Sequence, residues 1–146
     1  MKNKSEIQIV KNLLQMGTFL QKTGNRLIRE FDLTQQQFVV LNEIAEKRSV
    51  SQKQIVGELL FEKSNVSKIV KKLHLAGLIN VSSSSEDART TVLSITKKGK
   101  KQWTECMHLL NTWSIAWLEP LNENEITDSV KTLCKLRSLI PVAITE

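Results

Sequence analysis

One stretch of the chain gathers side chains suited to recognition chemistry: Glu62–Gly77, EKSNVSKIVKKLHLAG. Ser64, Asn65, Ser67, Lys68, Lys71 and Lys72 supply hydroxyls, a carboxamide and ammonium groups, with no acid among them. Ammonium groups neutralise phosphates. Short donors and acceptors can pair with base edges. Together they suit a polyanion with readable edges, which is double-stranded DNA. A lysine run is also what an ordinary solvated helix face looks like, so its meaning depends on what positions it. Val66, Ile69, Val70 and Leu73 fall at i, i+3, i+4 and i+7, the spacing of one buried stripe on an α-helix. The polar six lie off that stripe. The expected arrangement places Ser64, Asn65 and Lys68 at base edges, on the first turns, with Ser67, Lys71 and Lys72 toward phosphates or the groove wall.

The elements before this helix read as its mount. Ser5 to Phe31 carries apolar or small residues every three to four positions and predicts one long helix, with Gly17 and Gly24 on its stripe. Thr34–Gln37, TQQQ, is a capping-box pattern opening a second helix with Phe38, Leu41, Ile44 and Ala45 inward. Ser49-Val50-Ser51 predicts a short connection or strand bridge. Ser51–Gln54, SQKQ, repeats the capping pattern and opens a third helix that buries Ile55, Val56 and Leu59. Gln52 and Lys53, at its start, are placed to hold a phosphate with help from free backbone N–H groups. Leu60 to Glu62 is a tight turn, so the two helices form a helix-turn-helix over 51–77.

After Gly77, a helix-ending glycine, Leu78–Val81 and Thr90–Ile95 alternate as strands around the turn-rich SSSSED. A hairpin directly after a helix-turn-helix is a wing, here 78–96. Thr96 caps a helix running to about Leu118 with Trp103, Cys106, Met107, Leu110, Trp113 and Trp117 on its stripe. Asn122 and Glu125 open a last helix, with Leu121 and Ile126 as a hydrophobic staple. Val130, Leu133, Leu136 and Ile140 carry it to Pro141.

Charge supports the placement. Ser49–Lys101 holds ten Lys/Arg against four Asp/Glu, and the rest of the chain holds eleven of each, so the whole net charge of +6 sits in the middle third. Localised positive charge is the footprint of a phosphate-binding surface, and counterion release would make binding salt-sensitive. At 146 residues with ordinary apolar content, one domain over 1–146 is expected. No apolar run approaches a membrane span, and MKNKSEIQIV lacks an export signal, so no membrane partner and a cytoplasmic location are expected.

The segment GLINVSSSSEDARTTVLSITKKG, Gly77–Gly99, resembles the signature of the MarR family of winged-helix regulators. The shared pattern is Asp87-x-Arg89, an alternating strand over Val92–Ile95, then Thr96-x-x-Gly99. Length and element order agree over essentially the whole chain. The resemblance implies a mainly α fold with a small β wing. It implies a winged helix-turn-helix over 34–96, with dimerisation helices at 5–31 and 97–140. A homodimer is implied, binding an inverted-repeat site in successive major grooves ~34 Å apart. Arg89 matches the wing arginine that reaches the minor groove. Asp87 is expected to orient the wing by pairing with a basic neighbour. The wing departs from the family in being serine-rich and acidic, with Arg89 its lone cation. That keeps open a winged-helix protein-interaction module with weak operator binding.

The family also implies a small aromatic or anionic effector in a cleft between dimer helices and winged domain. Met16, Leu20, Phe38, Trp103 and Met107 are the residues that could line it, with ordinary core as the plainer reading. No cofactor is expected. Cys106 and Cys134 match no metal or redox spacing, and His74 and His108 sit in different elements, so no metal site is expected. No nucleophile–base pair, phosphate loop or paired carboxylates stand at catalytic spacing, which argues against an enzyme.

Overall fold

The structure is a computed structural model describing residues 2–140. Its elements run α1 (Lys2–Leu27), α2 (Gln35–Glu46), β1 (Val50–Ser51), α3 (Gln52–Leu59), α4 (Lys63–Leu75), β2 (Ile79–Ser83), β3 (Thr91–Ile95), α5 (Lys97–Leu118) and α6 (Glu123–Ser138), with one 3-10 turn at Arg29–Phe31. The strands form an antiparallel sheet in the order β1-β3-β2. Val50 pairs with Leu93, and Ile79–Ser83 pairs with Ile95–Thr91. This is a winged helix-turn-helix flanked by terminal helices, as expected.

Local chemistry explains the helix starts. At α2 the Thr34 hydroxyl accepts from Gln37 N while Gln37 Oε1 accepts from Thr34 N, a full capping box. Ser51 and Gln54 do the same for α3. Asn122 caps α6 by accepting from Glu125 N at 2.8 Å. Thr96 caps α5 by accepting from Gly99 N.

The first helix is shorter than its periodicity suggested. It stops at Leu27, and the chain turns through the 3-10 segment to Asp32, whose φ of 55° is left-handed. Two contacts account for the break. Ile28 and Leu33, on either side of the turn, are both buried, which a straight helix could not achieve. Asn25 Oδ1 also accepts from Gln35 N, fastening the end of α1 to the start of α2. Gly24 lies at this junction, where a Cβ would stand 2.6 Å from Gln35 Cγ. Gly17 has nothing within 4 Å.

One core joins the helix-turn-helix to the sheet and α5: Phe38, Leu41 and Ile44 of α2, Ile55 of α3, Val66, Ile69, Val70 and Leu73 of α4, then Leu78, Ile79, Leu93 and Cys106. All four expected stripe residues of α4 are therefore inward. Trp103 Nε1 donates to Asn42 Oδ1 at 2.9 Å, and Gln102 Nε2 donates to the Phe31 carbonyl, fixing α5 against α2 and the turn before it. By contrast, residues 3–22 of α1 are exposed in the single chain and α6 has no buried residue. The last helix ends at Ser138; the expected stop at Pro141 lies outside the described residues.

Candidate nucleic-acid interface

With Val66, Ile69, Val70 and Leu73 packed inward, α4 turns Ser64, Ser67, Lys68 and Lys71 to solvent. Neither Lys68 nor Lys71 has an ion-pair partner among the described residues, nor do Lys53, Lys63 or Arg89. Uncompensated cations beside short donors make a surface able to meet phosphates and base edges together. Lys63, the exposed first residue of α4, was missed in the sequence. It sits inside the polar stretch, and its place at the helix start was the available signal.

Neighbouring elements hold this face in register. Gln52 Nε2 donates to Ser67 Oγ at 2.8 Å, so the start of α3 is braced against α4. Asn65 is half-buried and its Nδ2 donates to Gln36 Oε1 at 3.3 Å. Gln36 thus borders the face from the first turn of α2, a contact between residues 29 positions apart that no local pattern announces. Lys72 differs from its expectation. Its ammonium donates to the Asp32 carbonyl at 2.9 Å and lies 3.6 Å from the Asp32 carboxylate. It braces α4 against the left-handed turn, because that turn brings both oxygens within reach.

The wing is closed by a tight network. Asp87 Oδ1 accepts from Arg89 N at 3.0 Å and Oδ2 accepts from the Thr90 hydroxyl at 3.3 Å. Ser84 N donates to the Thr90 carbonyl, and Glu86 N donates to Ser84 Oγ. Asp87 therefore shapes the loop through a backbone amide and a hydroxyl, where a basic partner had been expected. An Asp side chain is short enough to reach the amide two residues on, and that local bond forms ahead of any distant ion pair. The Arg89 side chain is left exposed beside the loop.

The five residues expected around an effector differ in burial. Phe38 is sealed in the core, Met16 and Leu20 are exposed on α1, and Trp103 and Met107 are half-buried against the core. Trp103 lines a recess of about 270 Å³ with Ala45, Lys47, Arg48, Ile95 and Lys100. A wider cleft of about 530 Å³ opens between Gly57, Glu58 and Leu60 on one side and Arg137 and Ile140 on the other. The two cysteines are free, Cys106 buried and Cys134 exposed. Burial, and then the nearby Glu105 and Glu30 carboxylates, push the Cys106 thiol up to about 11, so it is held protonated.

Comparison with known proteins agrees with this geometry. Residues 31–90 match the family model described as MarR family. The chain is 25% identical over 113 residues to the HTH-type transcriptional regulator MgrA of Staphylococcus aureus, covering 77% of this chain and 76% of that one. Among solved structures it is similar to the transcriptional regulator BldR from Sulfolobus solfataricus, with a TM-score of 0.89 and 20% identity over 96% of this chain and 99% of that one. It is also similar to a Cys-to-Ser mutant of MarR from E. coli complexed with operator DNA, with a TM-score of 0.78 and 19% identity over 90% and 95% of the two chains. The structural matches carry the fold, and the family match covers the helix-turn-helix and most of the wing. Residues 31–90 thus match the MarR family, and the chain as a whole has the fold of the solved MarR-like transcription regulators.

Proposed function

We propose that this regulator is a homodimeric repressor of an inverted-repeat operator, acting in the cytoplasm and released by a small aromatic or anionic effector. The observation that carries the reading is the outer face of α4, where Lys68 and Lys71 stand exposed and unpaired beside Ser64 and Asn65. Ser64, Asn65 and Lys68 read base edges. Lys53, Ser67 and Lys71 lie toward phosphates, and Arg89 reaches the minor groove. Gln52 and Lys72 serve the interface as braces.

The dimer reading is supported by apolar faces that nothing covers in one chain. Ile7, Val10 and Leu14 on α1 are 67%, 57% and 70% exposed, and Val130 and Leu133 on α6 join them in being open. Such a face on two struts is far more apolar surface than a lone domain keeps in water. A two-fold axis through it would set two copies of α4 one helical repeat apart.

The test is a fluorescence-anisotropy titration against the DNA upstream of the chain's own gene, repeated across salt concentrations. Specific retention with a negative log–log salt slope is expected. No specific retention at low salt, together with no effect of the Lys68→Ala/Arg89→Ala double variant, would remove the proposal and favour a protein-only module.

A further inference from the structure

The basic middle third contains lysines that the DNA face leaves unused, Lys98 among them. Lys98 is the second residue of α5, where its charge opposes the positive end of that helix and no acid shares the first turn. Its position is explained by the other helix. Lys98 Nζ donates to the Ala76 carbonyl at 2.9 Å, at the negative, C-terminal end of α4.

That end is already closed from within. Leu78 N donates to the Leu73 carbonyl and Gly77 N to the His74 carbonyl, a Schellman motif with Gly77 at φ +75°. The Ala76, Gly77 and Leu78 carbonyls beyond it are all taken by the start of α5. Besides Lys98 on Ala76, Thr96 Oγ1 donates to the Gly77 carbonyl at 2.7 Å and Thr96 N donates to the Leu78 carbonyl at 3.0 Å. Gly99 lets the backbones meet, since a Cβ there would overlap the Leu78 carbonyl oxygen.

We infer that Thr96 and Lys98 form a latch that sets the angle of the recognition helix, making them positioning residues for operator discrimination. The inference rests on α4 being the DNA-reading element. Lys98 belongs to the basic excess, yet its role is to fix where other side chains point. α5 also bears Trp113 and Trp117, stacked with centroids 5.2 Å apart and packed on Phe19 of α1, so the latch joins the terminal helices directly to the reading head.

The experiment compares wild type, Lys98→Met, Lys98→Arg, Thr96→Val and Lys71→Ala. Each is measured for affinity to operator and to scrambled DNA, for salt slope and for circular dichroism. Lys98→Met should lower the ratio of operator to scrambled affinity about tenfold, with scrambled binding, salt slope and helix content unchanged. Lys98→Arg, which still donates to a carbonyl, should restore the ratio. Thr96→Val, which keeps charge constant, should lower it in the same way. Lys71→Ala, which removes a phosphate contact, should reduce the salt slope by about one. If Lys98→Met also reduces the salt slope, Lys98 is a phosphate contact and the latch is refuted; an unchanged ratio in both Lys98→Met and Thr96→Val refutes it too. Absence of operator preference in wild type would instead refute the DNA reading beneath it.

Discussion

Lysine is one residue type with three fates in this chain, decided by which oxygens lie in reach. Lys68 and Lys71 have none nearby and stay available to a polyanion, Lys72 is engaged by Asp32, and Lys98 caps the end of α4. Lys72→Ala is expected to cost stability, by about 0.5–1 kcal/mol as befits a half-exposed contact, seen as a lower denaturation midpoint with an unaltered salt slope for DNA. Gly99→Ala sets two effects against each other. Alanine gains roughly 1 kcal/mol in helix propensity, but its Cβ would overlap the Leu78 backbone carbonyl, which has no room to yield. Overpacking of that kind costs about 3 kcal/mol, so thermal unfolding should show a net loss. For Cys106, burial favours the neutral thiol and places ionisation near 11, well above neutral pH. A thiol reagent at pH 8 should therefore modify it only as fast as the chain opens, whereas denatured protein should react at both cysteines.

At the scale of elements, the helix-turn-helix is assembled from local caps and long-range braces. The turn between α3 and α4 has an unusual corner. Leu60 is left-handed at φ 57°, with its N–H bonded to Val56 O, and its side chain is largely exposed. A β-carbon in that conformation costs roughly 1 kcal/mol or more, and the exposed leucine recovers little by packing. Leu60→Gly should stabilise the fold by about 0.5–1 kcal/mol in a urea titration, reduced by the extra freedom of glycine in the unfolded chain. Thr34→Ala removes the hydroxyl of the α2 capping box and should cost about 1 kcal/mol in the same measurement. The caps, stripes and wing were legible in the sequence because each depends on residues within a few positions of one another. The end of α1 was misplaced by one turn, because what stops it is the burial of Ile28 and Leu33 and the hold of Asn25 on α2.

At the scale of the molecule, a compact reading head carries two long helices whose apolar sides are open. Among the described residues no helix is long and apolar enough to cross a membrane. Under the proposed homodimer, placing a carboxylate on the open face should break subunit association and leave the head folded. Val10→Asp with Leu133→Asp should raise the dimer dissociation constant at least tenfold by sedimentation, about 1.4 kcal/mol, with little change in helix content. Operator affinity should fall with it, since two copies of α4 can no longer bind as one unit.

What the sequence determined alone was the order of elements, the inward stripe of α4, the capping boxes and the confinement of net charge to the middle third. These follow from periodicity and from hydrogen bonds between residues three or four apart, which the chain carries wherever it goes. Which polar groups remained free was settled only by tertiary structure. Lys72 meets Asp32 across 40 positions, Gln52 meets Ser67 across 15, and Lys98 meets Ala76 across 22. The expected effector residues differ in burial for the same reason: Phe38 is sealed in the core and Leu20 is open in the single chain, although both sit on apolar stripes. A stripe says that a side must be covered, and only the packed chain says by what.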